Sequence, residues 1–154
     1  MPKKRTSDPI MVDSIAQNLF AALPIFRKRL LHMDTIQREY GIPLSHVQVL
    51  AMLSDNGSMS VSEISRRLGI AKPNITPLVD RLTAANLVKR EQDAEDRRVV
   101  NIIICPEGVE KLTAIRATIL DQVSQWAESL STGELRELNE SLSSLTRILS
   151  SIHR

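Results

Sequence analysis

A chain of 154 residues is the size of one ordinary domain and too short for two independent ones. With 42% hydrophobic and 25% charged residues it is globular rather than disordered, and 3% aromatics leave Leu, Ile and Val to fill a core of packed helices. The net charge of +2 excludes a strongly basic or acidic protein, but the charge is unevenly spread: Arg66 to Arg98 carries eight Lys and Arg against five Asp and Glu, whereas Pro106 onward carries five against seven.

No apolar run approaches a membrane span, and Met1 to Arg5 leads into no signal-type stretch, so a cytoplasmic protein without membrane association is expected. Lys3, Lys4 and Arg5 read as a solvated tail. The single cysteine, Cys105, excludes an intramolecular disulfide framework.

The first element opens at Asp8-Pro9, an N-cap followed by proline at the first helical position. Val12, Ile15, Leu19, Ala22, Phe26, Leu30 and Met33 recur at gaps of three or four, which predicts one long helix, kinked at Pro24 and ending near Tyr40-Gly41. Ser45 and Gln48 have capping-box spacing and predict a short helix with Val47, Leu50 and Ala51 inward, closed by Asn56-Gly57. Ser60 and Glu63 repeat that spacing, with Val61, Ile64 and Leu68 inward and Gly69 as the stop.

In the next segment Ile75, Leu78, Val79 and Leu82 form the buried stripe of a helix. Pro73, Pro77, Asp80 and Ala84 then point outward, flanked by Asn74, Thr76 and Arg81. Pro77 is tolerated there if Asn74 is the N-cap. Past Asn86 the pattern turns to β: residues 87–92 and 99–104 read as a hairpin around Asp93 to Arg98. Pro106 opens another helix carrying Val109, Leu112, Ile119, Val123, Trp126 and Leu130, and Ser131 and Glu134 give a third capping box. Leu135, Leu138, Leu142, Leu145, Leu149 and Ile152 then form an unbroken heptad seam, which demands a partner. The fold class is mainly α with a small β-hairpin wing.

The run from Val61 to Ile70, the helix Lys72 to Leu82, Leu87-Val88-Lys89-Arg90, Asp93 to Arg98 and Ile104-Cys105-Pro106-Glu107-Gly108 resemble, in order and spacing, the MarR family of bacterial transcriptional regulators. The resemblance implies a winged helix-turn-helix within one integrated domain. Residues 1–44 would be an N-terminal dimerisation helix, 45–105 the DNA-binding lobe and 106–154 the C-terminal dimerisation helices. It also implies a homodimer on double-stranded DNA, a repressor on a pseudo-palindromic site, and a small effector between the dimerisation helices and the lobe.

A recognition helix offers its first turns to base edges. Lys72, Pro73, Asn74, Thr76, Pro77 and Arg81 are the candidate DNA-binding residues: Asn74 suits adenine, Thr76 a base edge or thymine methyl, and Pro77 a thymine methyl. On the wing, Arg97 and Arg98 suit a narrow minor groove, with Asp96 expected to orient the Arg98 guanidinium. Ile15, Leu19, Leu135, Leu138, Leu142, Leu145 and Leu149 are the candidate dimer interface.

Two other readings remain open at this point. Cys105, where the family usually has Thr, could act as a redox switch at a helix start, or the chain could be a helical adaptor that binds no DNA. His32, His46 and His153 are too scattered for a metal site, and no phosphate loop or nucleophile-base pair appears, so a non-catalytic protein without cofactor is expected.

Overall fold

The computed structural model describes residues 8–26 and 32–151, apart from the Met33 side chain. Lys3, Lys4, Arg5, Leu30, Ile152 and His153 lie outside the described residues. Helix α1 (Pro9–Ile25) starts as expected: the Asp8 carboxylate accepts from the Ile10 amide at 3.0 Å, and Pro9 takes the first position. The single kinked helix to Tyr40 is instead two elements, since α2 (Met33–Tyr40) has its own N-cap residue, His32. Pro24 lies in the last turn of α1, where it withdraws an amide from the helical ladder.

Helix α2 is clamped to α6 (Pro106–Ala127). The Tyr40 hydroxyl meets Thr118 Oγ1 at 2.5 Å and donates to the Ala114 carbonyl at 3.1 Å, while Lys111 Nζ donates to the Tyr40 carbonyl at 2.9 Å. Helix α3 (Leu44–Asn56) begins two residues earlier than its expected capping box requires. Pro43, extended at φ −67°, ψ 160°, is the N-cap residue, so Ser45 falls inside the first turn and its hydroxyl meets His46 Nδ1 at 3.3 Å instead. Val47 and Leu50 are buried as expected, but so are His46, Val49 and Leu53, because α3 runs through the middle of the lobe and is covered on several sides.

Strand β1 (Met59–Ser60) leads into α4 (Val61–Leu68) through the expected capping box: Glu63 N–H donates to Ser60 Oγ at 3.2 Å, and Ser60 N–H to Glu63 Oε2 at 3.0 Å. The turn after α4 needs the left-handed backbone of Gly69, φ +65°, and is closed by Ser65 Oγ donating to the Ile70 carbonyl at 2.6 Å. Helix α5 (Lys72–Ala84) follows, then β2 (Val88–Gln92) and β3 (Val100–Ile104). The three strands form an antiparallel sheet in the order β1-β3-β2, with Val88 opposite Ile104, Gln92 opposite Val100 and Met59 opposite Ile102.

The core draws on every element from α2 to α6, from Ile36 of α2 and Leu50 of α3 through Ile64, Ile75, Val79, Leu82 and Ile102 to Leu112 and Ile115 of α6. At the start of α6, Gly108 lies beneath the Leu87 carbonyl, where a Cβ would collide with that oxygen. The last helix, α7 (Thr132–Ser150), starts with the expected Ser131–Glu134 box, at 3.3 Å and 2.8 Å. Neither α1 nor α7 contributes a buried residue.

Candidate nucleic-acid interface

Helices α4 and α5, with the turn between them, make a helix-turn-helix, and the β2–β3 hairpin stands beside it as a wing. Ile75, Leu78, Val79 and Leu82 of α5 are buried, as their spacing requires. Lys72, Pro73, Asn74, Thr76, Pro77, Asp80 and Arg81 are all exposed. The small first-turn side chains therefore form one accessible face.

Asn74 is not the N-cap. Helix α5 starts at Lys72 after the extended Ala71, because Pro73 already carries a helical φ, and the Asn74 amide donates to the Ala71 carbonyl at 2.9 Å. The Asn74 carboxamide has no protein partner among the described residues and is left for a base. Pro77 thus sits inside the helix and deprives the Pro73 carbonyl of its regular donor. The four buried aliphatics hold the helix together through that defect. The Thr76 hydroxyl donates to the Lys72 carbonyl at 3.3 Å, which leaves its methyl and its oxygen lone pairs facing out.

The wing tip is built on Asp93. Its carboxylate accepts from the amides of Glu95 at 2.9 Å and Asp96 at 3.1 Å, and from Asn101 Nδ2 at 3.0 Å. These donors, the backbone amides above all, hold its carboxyl below the usual range. Asp96 acts on Arg98, but not as expected: its carboxylate accepts from the Arg98 backbone amide at 3.0 Å, forming a turn, and no Asp96–Arg98 ion pair occurs among the described residues. An aspartate two residues upstream reaches that amide more readily than the end of a long side chain. Arg97 and Arg98 remain exposed at the tip.

Carboxylates sort the basic residues into two groups. Arg90 on β2 pairs with Asp80 on α5 at 2.7 Å, and Lys89 with Glu91 at 3.0 Å. Among the described residues, Arg66, Arg67, Lys72, Arg81, Arg97 and Arg98 take no carboxylate partner. Behind this surface, burial lowers the pKa of His46, and the nearby Arg81 charge lowers it further. The Asp80–Arg90 pair, the Asp93 turn and its Asn101 strut were missed in the sequence, since none follows a helical or strand period.

An open cleft of about 1260 Å³ lies between the α4–α5 turn and the end of α7, lined by Arg66, Arg67, Lys72 and Leu149 among others. Cys105 is the N-cap residue of α6, half-buried, and its amide donates to the Leu87 carbonyl at 2.9 Å. Of the candidate dimer residues, Ile15 and Leu19 are 52% and 53% exposed, and Leu135, Leu142, Leu145 and Leu149 are exposed as well; Leu138 is half-buried. Among the described residues no group of three or more His, Cys, Asp or Glu could hold a metal ion, and no helix is long and apolar enough to cross a membrane.

Residues 40–99 match a model of the MarR family. The chain is 32% identical over 113 residues to the HTH-type transcriptional repressor MdtR of Bacillus subtilis (strain 168), covering 73% of this chain and 70% of that protein. The chain belongs to the MarR family. The MarR fold extends beyond the matched segment: a MarR family protein from Bacillus stearothermophilus superposes with a TM-score of 0.76 at 22% identity, over 95% of this chain and 100% of the other. The YusO protein from Bacillus subtilis does so with a TM-score of 0.67 at 25% identity, over 92% and 99%. As a MarR-family helix-turn-helix protein, the chain is a DNA-binding regulator of transcription.

Proposed function

We propose that this regulator works as a homodimeric repressor on a pseudo-palindromic site in double-stranded DNA. The start of α5 enters the major groove: Asn74, Thr76 and Pro77 read bases, while Lys72 and Arg81 meet phosphates and Pro73 packs against the backbone. Arg97 and Arg98 reach the flanking minor groove from a wing tip whose backbone Asp93 and Asp96 fix. The observation that carries this reading is the placement of an exposed face of small polar and apolar groups on α5 beside a wing with two unpaired arginines.

The second copy covers the apolar faces of α1 and α7, whose large side chains are exposed in one chain. The effector occupies the cleft between the α4–α5 turn and α7, and its three cationic side chains favour a small anion with an apolar body against Leu149. An effector seated there meets the recognition helix at its first residue, Lys72.

Selection of bound duplexes from a random pool tests the reading. The expected product is an inverted repeat. Asn74→Ala or Thr76→Ala should each relax one symmetric pair of positions, and each base interaction removed should weaken binding by about 1–3 kcal/mol. A selected pool with no sequence preference would overturn it.

A further inference from the structure

Asp80 poses a problem for a DNA-reading helix. It lies on the exposed face of α5, about one turn after Thr76 and Pro77, where a carboxylate opposes a phosphate backbone. Its partner Arg90 lies on β2, across the turn that joins recognition helix to wing, at 2.7 Å. The side chains are 55% and 39% exposed, and an ion pair in that setting contributes little to folding. Stability is therefore a weak reason for the pair.

Geometry supplies a better one. A guanidinium has five N–H donors in a rigid planar fork. Here Nη2 alone is bonded, to Asp80 Oδ1, and the remaining donors of Arg90 have no protein acceptor among the described residues. The bonded carboxylate anchors one end of the fork and leaves the other donors free for a second acceptor. The fork sits between the helix that meets the major groove and the hairpin that meets the minor groove, where a duplex presents its backbone.

We propose that Arg90 is a phosphate-binding residue and Asp80 its positioning residue, so that the pair clamps one backbone phosphate between the two grooves and sets the spacing from recognition helix to wing. The assignment rests on the DNA-bound arrangement proposed above. Lys89, its neighbour on the strand, is paired to Glu91 on the same strand and sets no such spacing.

Titration of the full-length protein on its selected duplex at several salt concentrations tests the proposal. Arg90→Ala should weaken binding roughly tenfold and flatten the log–log salt slope by about one per protomer. Arg90→Lys should keep the slope yet bind more weakly, since an ammonium holds the charge without the fork. Asp80→Asn should also weaken binding severalfold in the wild-type background, although it removes a negative charge beside DNA. In an Arg90→Ala background the same change should tighten binding or leave it unchanged, because only repulsion is left to remove.

That reversal of sign is the discriminating result. Tighter binding by Asp80→Asn in both backgrounds, or an unchanged salt slope in Arg90→Ala, would overturn the clamp. Matching thermal melts keep loss of fold from mimicking these effects, and Arg90→Lys provides a second variant with the charge intact. A wild-type chain with no sequence preference would instead sink the DNA-bound arrangement itself, and so separates the two failures.

Discussion

The DNA-binding lobe and the α1/α7 helices solve the problem of apolar surface in opposite ways. In the lobe, short helices are closed by side-chain caps and left-handed turns, and their aliphatics bury each other within one chain, as Ile64, Ile75, Val79 and Ile102 do. Helices α1 and α7 are longer and carry Ile15, Leu19, Leu142 and Leu145, yet bury no residue in the chain. The lobe, with Ile36 of α2 and Leu112 and Ile115 of α6, thus closes its core within one chain, whereas α1 and α7 leave their apolar faces open. Stability of the first region should be independent of protein concentration, and that of the second should rise with it.

Two glycines in the first turns of helices give the strongest way to separate the regions. Gly108→Ala would drive a Cβ into the Leu87 carbonyl and within 2.8 Å of Ile104 Cγ1, so a loss of at least about 3 kcal/mol in denaturant unfolding is expected. Gly133→Ala, at the start of α7, meets nothing nearer than Ser131 Oγ at 4.0 Å and should be neutral or stabilise by up to ~1 kcal/mol. Equal effects would mean that the lobe is no more tightly packed than the flank.

Next in size is Leu142→Glu, which leaves the single chain's core untouched because Leu142 is 39% exposed there. Against a second copy it would bury a carboxylate, so sedimentation should show dimer affinity weakened by roughly a hundredfold, with the lobe's folding cooperativity retained. An unchanged dimer would remove α7 from the interface.

A gentler probe is pH. His46 is buried in the lobe and its pKa lies below the unfolded value, so the unfolded chain binds the extra proton first as pH falls. The lobe should hold its full stability above about pH 6.5 and lose it progressively below that, down to the folded pKa. His46→Gln should flatten this dependence in urea melts between pH 5 and 8, while the dimer equilibrium stays level.

The smallest expected effect is at the wing. Asp93→Ala frees two backbone amides and Asn101, loosening the tip without touching the core, so binding should fall only severalfold and mainly at sites chosen for their A·T-rich flanks. Quantitative binding to duplexes with varied flanks checks this; an equal loss at all flanks would show that the tip does not read them.

The legible parts of the fold were those written in local chemistry. Ser60 with Glu63 and Ser131 with Glu134 mark two helix starts, and the stripe from Ile75 to Leu82 marks the buried side of α5. Local chemistry also misled where two signals competed. Ser45 has capping spacing, but Pro43 fixes the entry first; Asn74 is a good cap residue, but Pro73 starts the helix ahead of it. Strand β1 is two residues long and exists through its pairing with Ile102 and Asn101, so no local pattern announces it. The accessible face of α5 and the exposed arginines of the wing followed from periodicity and turn signals. The Asp80–Arg90 and Asp93–Asn101 hydrogen bonds, 10 and 8 residues apart, required the folded backbone.

The Leu87 carbonyl receives the Cys105 amide and is roofed by Gly108, so the root of α6 is pinned directly to the segment that follows the recognition helix. Helix α6 has 22 residues and runs about 33 Å from that pin. A tilt of α6 about that pin would make it a lever with its fulcrum at Leu87. A tilt of about 5° moves its far end by ~3 Å, so a shift of one helical residue in the apolar packing at that end corresponds to only a few degrees at the DNA-reading end. Any such movement at the far end of α6 would therefore reach the DNA-reading end geared down to a fine adjustment.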